Sequence, residues 1–127
     1  MIGRAKLLAG RKYLELCVYK SGYFNAQIRA KKFVIFGPGR SGSTLLVKLL
    51  NTNEDIYCDM EELRFKRWFP EKYIESRSRS NVSSKPIYGF KVQHNHLALN
   101  ELRNEKNFID HLYNSEWKFI FLWRKNF

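Results

Sequence analysis

Short apolar runs alternate with polar, charged or glycine-rich stretches along this chain. Four of them, Phe33–Phe36, Ile56–Cys58, Ile87–Val92 and Phe119–Leu122, have the length and composition of buried strands. Between the first two, Leu45, Leu46, Val47, Leu49 and Leu50 predict a helix that is apolar almost all round. It is therefore expected to be well buried, ending at Asn51-Thr52-Asn53. Leu99, Leu102, Ile109 and Leu112 give Leu97–Tyr113 a helical period, broken near Asn107. Near the start, Leu7, Leu8, Leu14, Leu16, Val18 and Tyr19 form a looser helical pattern over residues 4–20, interrupted by Gly10 and Gly22. Ser21–Ala30 reads as a connector. After Asp59–Leu63 a basic-aromatic segment runs to Tyr73, and the apolar-poor stretch Ser76–Lys85 reads as a mobile loop. There are no internal repeats. Strands alternating with helices predict an α/β fold, a parallel sheet with flanking helices.

The first strand leads into Gly37-Pro38-Gly39-Arg40-Ser41-Gly42-Ser43-Thr44 and then into the helix. A strand, a glycine-rich turn and a helix in that order aim backbone N–H groups and the positive helix end at one point, a ready anion site. The spacing Gly37…Gly42-Ser43-Thr44 nearly matches the nucleotide-binding pattern G-x-x-x-x-G-K-[ST], but Ser43 stands where the lysine belongs. The loop's basic side chain is Arg40. The plain alternative is a tight strand-to-helix turn capped by Ser43.

Phe33–Leu46, with Arg40-Ser41-Gly42-Ser43-Thr44 at its centre, closely resembles the 5′-phosphosulfate loop of sulfotransferases that use 3′-phosphoadenosine 5′-phosphosulfate (PAPS). Ile87-Tyr88-Gly89-Phe90-Lys91-Val92 resembles the internal Gly-Phe-Lys strand of that family. Trp117–Asn126 resembles the strand leading to its 3′-phosphate segment. The three matches stand in the family's order and cover about residues 33–126. The resemblance implies a P-loop-like sulfotransferase fold over residues 32–127, truncated at its C-terminal part, behind a basic helical leader over residues 1–31. The implied reaction moves a sulfuryl group from PAPS to an acceptor hydroxyl or amine, releasing 3′,5′-bisphosphate (PAP), with no metal. A serine that shares the 3′-phosphate in the family would lie beyond Phe127. A shortened domain is expected to leave a sheet edge and an apolar face uncovered, with oligomerisation through that edge and loss of activity as consequences.

Composition adds a strong basic bias. The net charge is +11, and residues 1–32 hold eight basic side chains against one acidic, Glu15. An anionic partner is implied. No recognised nucleic-acid motif accompanies the charge, so no specific nucleic acid is expected. There is no apolar stretch of transmembrane length and no signal-peptide h-region. Cys17 and Cys58 lie far apart without metal-like spacing, and read as reduced thiols of a cytoplasmic protein.

The resemblance also assigns roles. Gly39, Arg40, Ser41, Gly42, Ser43 and Thr44 would grip the 5′-phosphosulfate, Arg40 would face the charge growing on the leaving group, and Arg124 would meet the 3′-phosphate. The general base would be Glu61, with Glu62 as its neighbouring alternative. A carboxylate beside a basic pocket is ionised and able to accept a proton. Both glutamates also suit the start of a helix. His94 and His96, on an extended backbone, would share one face, His94 being a candidate for proton transfer or acceptor binding. Two histidines alone do not make a metal site, and His111 reads as structural. Lys91, at the C-terminal end of its strand, is placed to line a ligand crevice, or is simply a strand-edge lysine. The arginine/serine run Arg77–Ser84 reads as a solvated loop.

Two other functions compete. A P-loop kinase or NTPase would need the lysine that Ser43 replaces, and would depend on magnesium. A non-catalytic polyanion-binding module would use the leader and Arg77–Ser84, with steep salt dependence. The acceptor is left open among carbohydrate, lipid, peptide and small molecule.

Overall fold

Four parallel strands, β1 (Lys31–Phe36), β2 (Ile56–Cys58), β3 (Ile87–Val92) and β4 (Trp117–Phe121), form one sheet in the order β2-β3-β1-β4. The structure, a computed structural model, describes residues 3–24, 29, 31–38, 42–79, 83–100 and 105–123. Among the described residues five helices accompany the sheet: α1 (Gly3–Phe24), α2 (Ser43–Asn51), α3 (Pro70–Ser78), α4 (His94–Leu99) and α5 (Glu105–Asn114). The expected α/β architecture with a parallel sheet is present. Among the described residues no helix is long and apolar enough to cross a membrane.

The period of two along each strand sorts side chains between the faces. Val34, Tyr88, Phe90, Val92 and Trp117 point into a core closed by Leu63, Tyr73 and Ile74, Leu97, Phe108 and Leu112. Phe33 and Ile35 point the other way, meeting Val47 of α2 and Cys58. α2 thus covers one face, while α3 and α5 cover the other. Gly89 pairs with Phe33 across β1 and β3. A Cβ at Gly89 would sit 2.1 Å from Phe33 Cζ, so the ring lies flat over a position that only glycine leaves open.

Four expectations need correction. α2 is not buried all round: Leu45 and Leu49 are exposed, and only Ser43 and Val47 are buried, because a single sheet face is offered to it. Residues 76–78 are not loop but the last turn of α3, which starts at Pro70. Ser76 and Ser78 are buried there, Ser76 lying against Gly22 of α1. Arg77 is not solvated but makes a two-pronged pair with Asp59, Nε to Oδ2 at 2.9 Å and Nη2 to Oδ1 at 2.8 Å. Finally, α1 runs through Gly10 and Gly22 to Phe24, so residues 21–24 are helix rather than connector. Gly10 faces open space, and Gly22 allows α1 to lie close on α3, where a Cβ would come within 2.6 Å of Ser76 Cα.

The face that α1 turns inward holds Glu15, Val18, Tyr19 and Gly22, at helical spacing, while Leu7, Leu14 and Leu16 are exposed. Glu15 accepts hydrogen bonds from Tyr19 Oη at 2.6 Å and from the Trp68 amide at 2.9 Å. The helix is held by a buried carboxylate as well as by apolar packing.

Candidate functional site

The chain leaves β1 toward one face of the sheet, into α2, and leaves β3 toward the other, into α4 and α5. Where neighbouring parallel strands diverge in this way, a crevice opens at their C-terminal ends. Three segments meet there: the start of α2, the residues after β2, and the end of β3.

Gly42 caps the start of α2, and its φ of 81° and ψ of 6° place it in the left-handed region that glycine enters without strain. The first helical hydrogen bond runs from the Leu46 amide to the Gly42 carbonyl, 3.1 Å. The amides of Ser43, Thr44 and Leu45 precede it and have no partner within the helix. Ser43 is buried and Thr44 exposed. Gly39, Arg40 and Ser41, the rest of the phosphate loop read from the sequence, lie outside the described residues, as does Arg124.

Past Cys58 the chain keeps pairing with β3: the Asp59 amide bonds the Gly89 carbonyl at 2.8 Å, and the Lys91 amide bonds the Met60 carbonyl at 3.2 Å. This pairing sets Glu61 beside Lys91. Lys91 lies on the α2 face of the sheet, in register with Ile35, and its side chain is 4% exposed. Its ammonium is 3.1 Å from Glu61 Oε1 and donates to Thr44 Oγ1 at 3.2 Å. Gln93 Nε2 donates to the same Glu61 oxygen at 2.8 Å. Oε1 is therefore held twice, while Oε2 has no hydrogen-bond partner among the described residues.

Burial pushes the Glu61 carboxyl up, but hydrogen bonds from Lys91 and Gln93 and the charges of Lys91 and His96 outweigh it. The net result is a value below that of an ordinary glutamate. Glu62 behaves oppositely. Its Oε2 accepts from Tyr73 Oη at 2.9 Å and lies 3.9 Å from Arg67 Nη2. Burial and the neighbouring Asp59 charge raise its carboxyl above the usual range. The two adjacent glutamates thus engage different partners, and only Glu61 joins Lys91 and Thr44.

Asp59 anchors this segment from beneath, accepting from Arg77 and, at 2.6 Å, from Tyr88 Oη. Asn51 clamps β2 to the end of α2 through the Cys58 amide, 2.7 Å, and carbonyl, 2.9 Å.

The two histidines do not sit on an extended strand, which corrects the sequence expectation: His94 opens α4 and His96 lies two residues on, within the same helix. The His94 side chain is outside what the structure describes. His96 is buried, and its Nδ1 accepts from the Gln93 amide at 3.1 Å. Burial lowers its pKa, Glu61 opposes this, and Lys91 and Arg64 add to the lowering. Gln93 is a member of the cluster that the sequence reading did not name, and His96, named there only for sharing a face with His94, adjoins it. Gln93 directly follows the Gly-Phe-Lys strand, which was the available signal.

Comparison with protein-family models, with curated proteins and with solved structures gives no match.

Proposed function

We propose that this crevice binds the 5′-phosphosulfate end of PAPS and that the chain transfers its sulfuryl group to an acceptor hydroxyl or amine, releasing PAP. The observation that carries the reading is the buried Lys91 ammonium, which joins the start of α2 to the carboxylate that follows β2. The described donors fit an anionic group: a left-handed glycine before α2, the first-turn amides that have no partner within the helix, the Thr44 hydroxyl and a dehydrated cation.

PAPS supplies an activated sulfuryl group when bound. Ser43, Thr44 and the loop residues Gly39–Gly42 hold its phosphosulfate end, and Arg124 meets the 3′-phosphate. Glu61 takes the acceptor proton on Oε2, as the acceptor oxygen or nitrogen bonds to sulfur. The bridging S–O bond breaks with its electron pair remaining on the departing phosphate, where Lys91 and Arg40 supply positive charge. His94, at the start of α4, is the other candidate for handling a proton. A carboxylate with a lowered pKa is already ionised at neutral pH, so no proton need be removed before the reaction.

Titration calorimetry without magnesium tests the reading. Binding of PAP in clear preference to ADP, weakened at least tenfold by Lys91→Met, is the expected result. Equal binding of ADP, magnesium-dependent ATP turnover, or no binding of PAP by a folded chain would each overturn it.

A further inference from the structure

Two adjoining concavities lie away from the crevice, between α1, α3 and the segment Arg64–Trp68. One cavity of about 470 Å³ has a mainly apolar lining that includes Leu14, Val18, Phe65 and Tyr73. A second, of about 520 Å³, is lined by Lys12, Lys66, Trp68 and Asn100 and is more polar. Arg11, Glu15, Phe65 and Arg67 border both, so the two adjoin as one groove with an apolar arm and a cationic arm. Each arm has the volume of a small-molecule site.

The charge lining this groove is unbalanced. Arg11, Lys12, Lys66, Arg67 and Arg77 face it, against one carboxylate, Glu15. Glu15 is 1% exposed and already engaged by Tyr19, the Trp68 amide, Lys12 at 3.2 Å and Arg67 at 3.9 Å. Asp59 neutralises Arg77. Arg11 lies 4.0 Å from the Phe65 ring centroid and has no carboxylate partner among the described residues. Lys12 lies 4.7 Å from the Trp68 ring centroid. Cations stacked on aromatic rings keep part of their charge available while the rings shed water. Leu14 and Trp68, at 63% and 50% exposure, leave apolar surface open beside that charge.

We infer that this groove binds a free anionic amphiphile, a small molecule with an acidic head and an alkyl or aryl body. Arg11 and its basic neighbours hold the head, and the body lies along Leu14, Val18 and Tyr73. The site is independent of the sulfuryl-transfer reading, since none of its residues belongs to the Lys91 cluster.

Cys17 lines the apolar arm and is exposed, whereas Cys58 is buried with its thiol pushed up to about 12 by that burial and by Asp59, against the pull of Lys91. Alkylation of Cys17 by neutral iodoacetamide, followed by mass spectrometry, therefore reports occupancy. Decyl phosphate below its micelle concentration should slow the reaction at least tenfold. Inorganic phosphate and decyl maltoside at equal concentration should slow it less than twofold. Arg11→Gln, at a half-buried position, and Leu14→Asn, at an exposed one, should each weaken protection about tenfold with an unchanged circular dichroism melt. Equal protection by inorganic phosphate or by the neutral amphiphile would overturn the proposal. So would protection by anionic phospholipid vesicles or by a short oligothymidylate but not by decyl phosphate, or no protection at all.

Discussion

Replacing Lys91 by Met keeps an unbranched stem in the α2-side face of the sheet and deletes one charge. The ammonium lies 3.1 Å from Glu61 Oε1, with side-chain exposures of 4% and 20%. Unit charges at that distance attract by roughly 5 kcal/mol at an effective dielectric of 20. That is a ceiling, because dehydrating Lys91 opposes it; a hydrogen bond to a charged group contributes about 1.5–3 kcal/mol net. We therefore expect Lys91→Met to cost about 2 kcal/mol at pH 7. The pH dependence follows from Glu61. Its folded pKa is depressed from the ordinary 4.5, despite burial, by Lys91, Gln93 and His96. A depressed value contributes stability that is fully present above the unfolded glutamate range and lost as pH falls through the folded value. Below that depressed value the carboxyl gains its proton, and the native chain is left with a buried ammonium facing a neutral acid. The cost of the substitution should therefore shrink toward zero, or reverse, between pH 7 and an acidic pH below the folded value of Glu61. Urea unfolding followed by circular dichroism at both pH values measures this. An equal cost at the two values would refute the argument.

Gly89→Ala places a methyl 2.1 Å from Phe33 Cζ and should cost about 3 kcal/mol, since overpacking forces the ring out of its place. Combining it with Phe33→Leu should recover part of that loss, whereas strict additivity in urea melts would show that the ring is not the obstacle. On α1, Gly22→Ala should destabilise by about 1–3 kcal/mol through the backbone of Ser76, while Gly10→Ala, facing open space, should stabilise by about 0.5–1 kcal/mol. Thermal melts that gave the two substitutions the same sign would contradict the packing of α1 on α3.

The strands were legible because each is a short run of apolar, β-branched and aromatic residues bounded by polar or glycine-rich stretches. The helix α3 was hidden for the opposite reason. Only Tyr73 and Ile74 give its sequence an apolar face, and the rest of its burial comes from polar contacts, Arg77 on Asp59 and Ser76 under Gly22. Such contacts join residues far apart in sequence and leave no periodic trace. The glycine-rich turn into α2 was legible as a pattern, but not that Gly42 would be the left-handed residue within it. The burial of α2 was misjudged because an apolar composition does not reveal how many neighbours the fold supplies. At the crevice, Glu61 and Lys91 were named separately, one from a resemblance and one from its place on a strand. Their contact depends on the continued pairing of Asp59 and Met60 with β3, which no local pattern encodes. Gln93 was missed, and His96 was named but placed on an extended backbone, because the chain turns into α4 immediately after β3.

Three carboxylates within four residues, Asp59, Glu61 and Glu62, would repel one another if left together, yet each is turned to a different cation: Arg77, Lys91 and Arg67. The arrangement pushes the two glutamates apart in acidity, Glu61 below and Glu62 above the usual value. Paired groups separated in this way can carry different roles. For proton abstraction it also poses a difficulty, since a carboxylate held down by a lysine is a weaker base. The geometry contains its own resolution under the proposed function. Lys91 already divides its ammonium between Glu61 and Thr44, so an anion seated at the start of α2 competes for the same donor. As Lys91 turns toward that anion, Glu61 loses the hydrogen bond and the charge that lower it, while its burial, which raises it, remains. Glu61 thereby becomes a stronger base when the anion is in place, and the crevice need not hold a reactive base while empty.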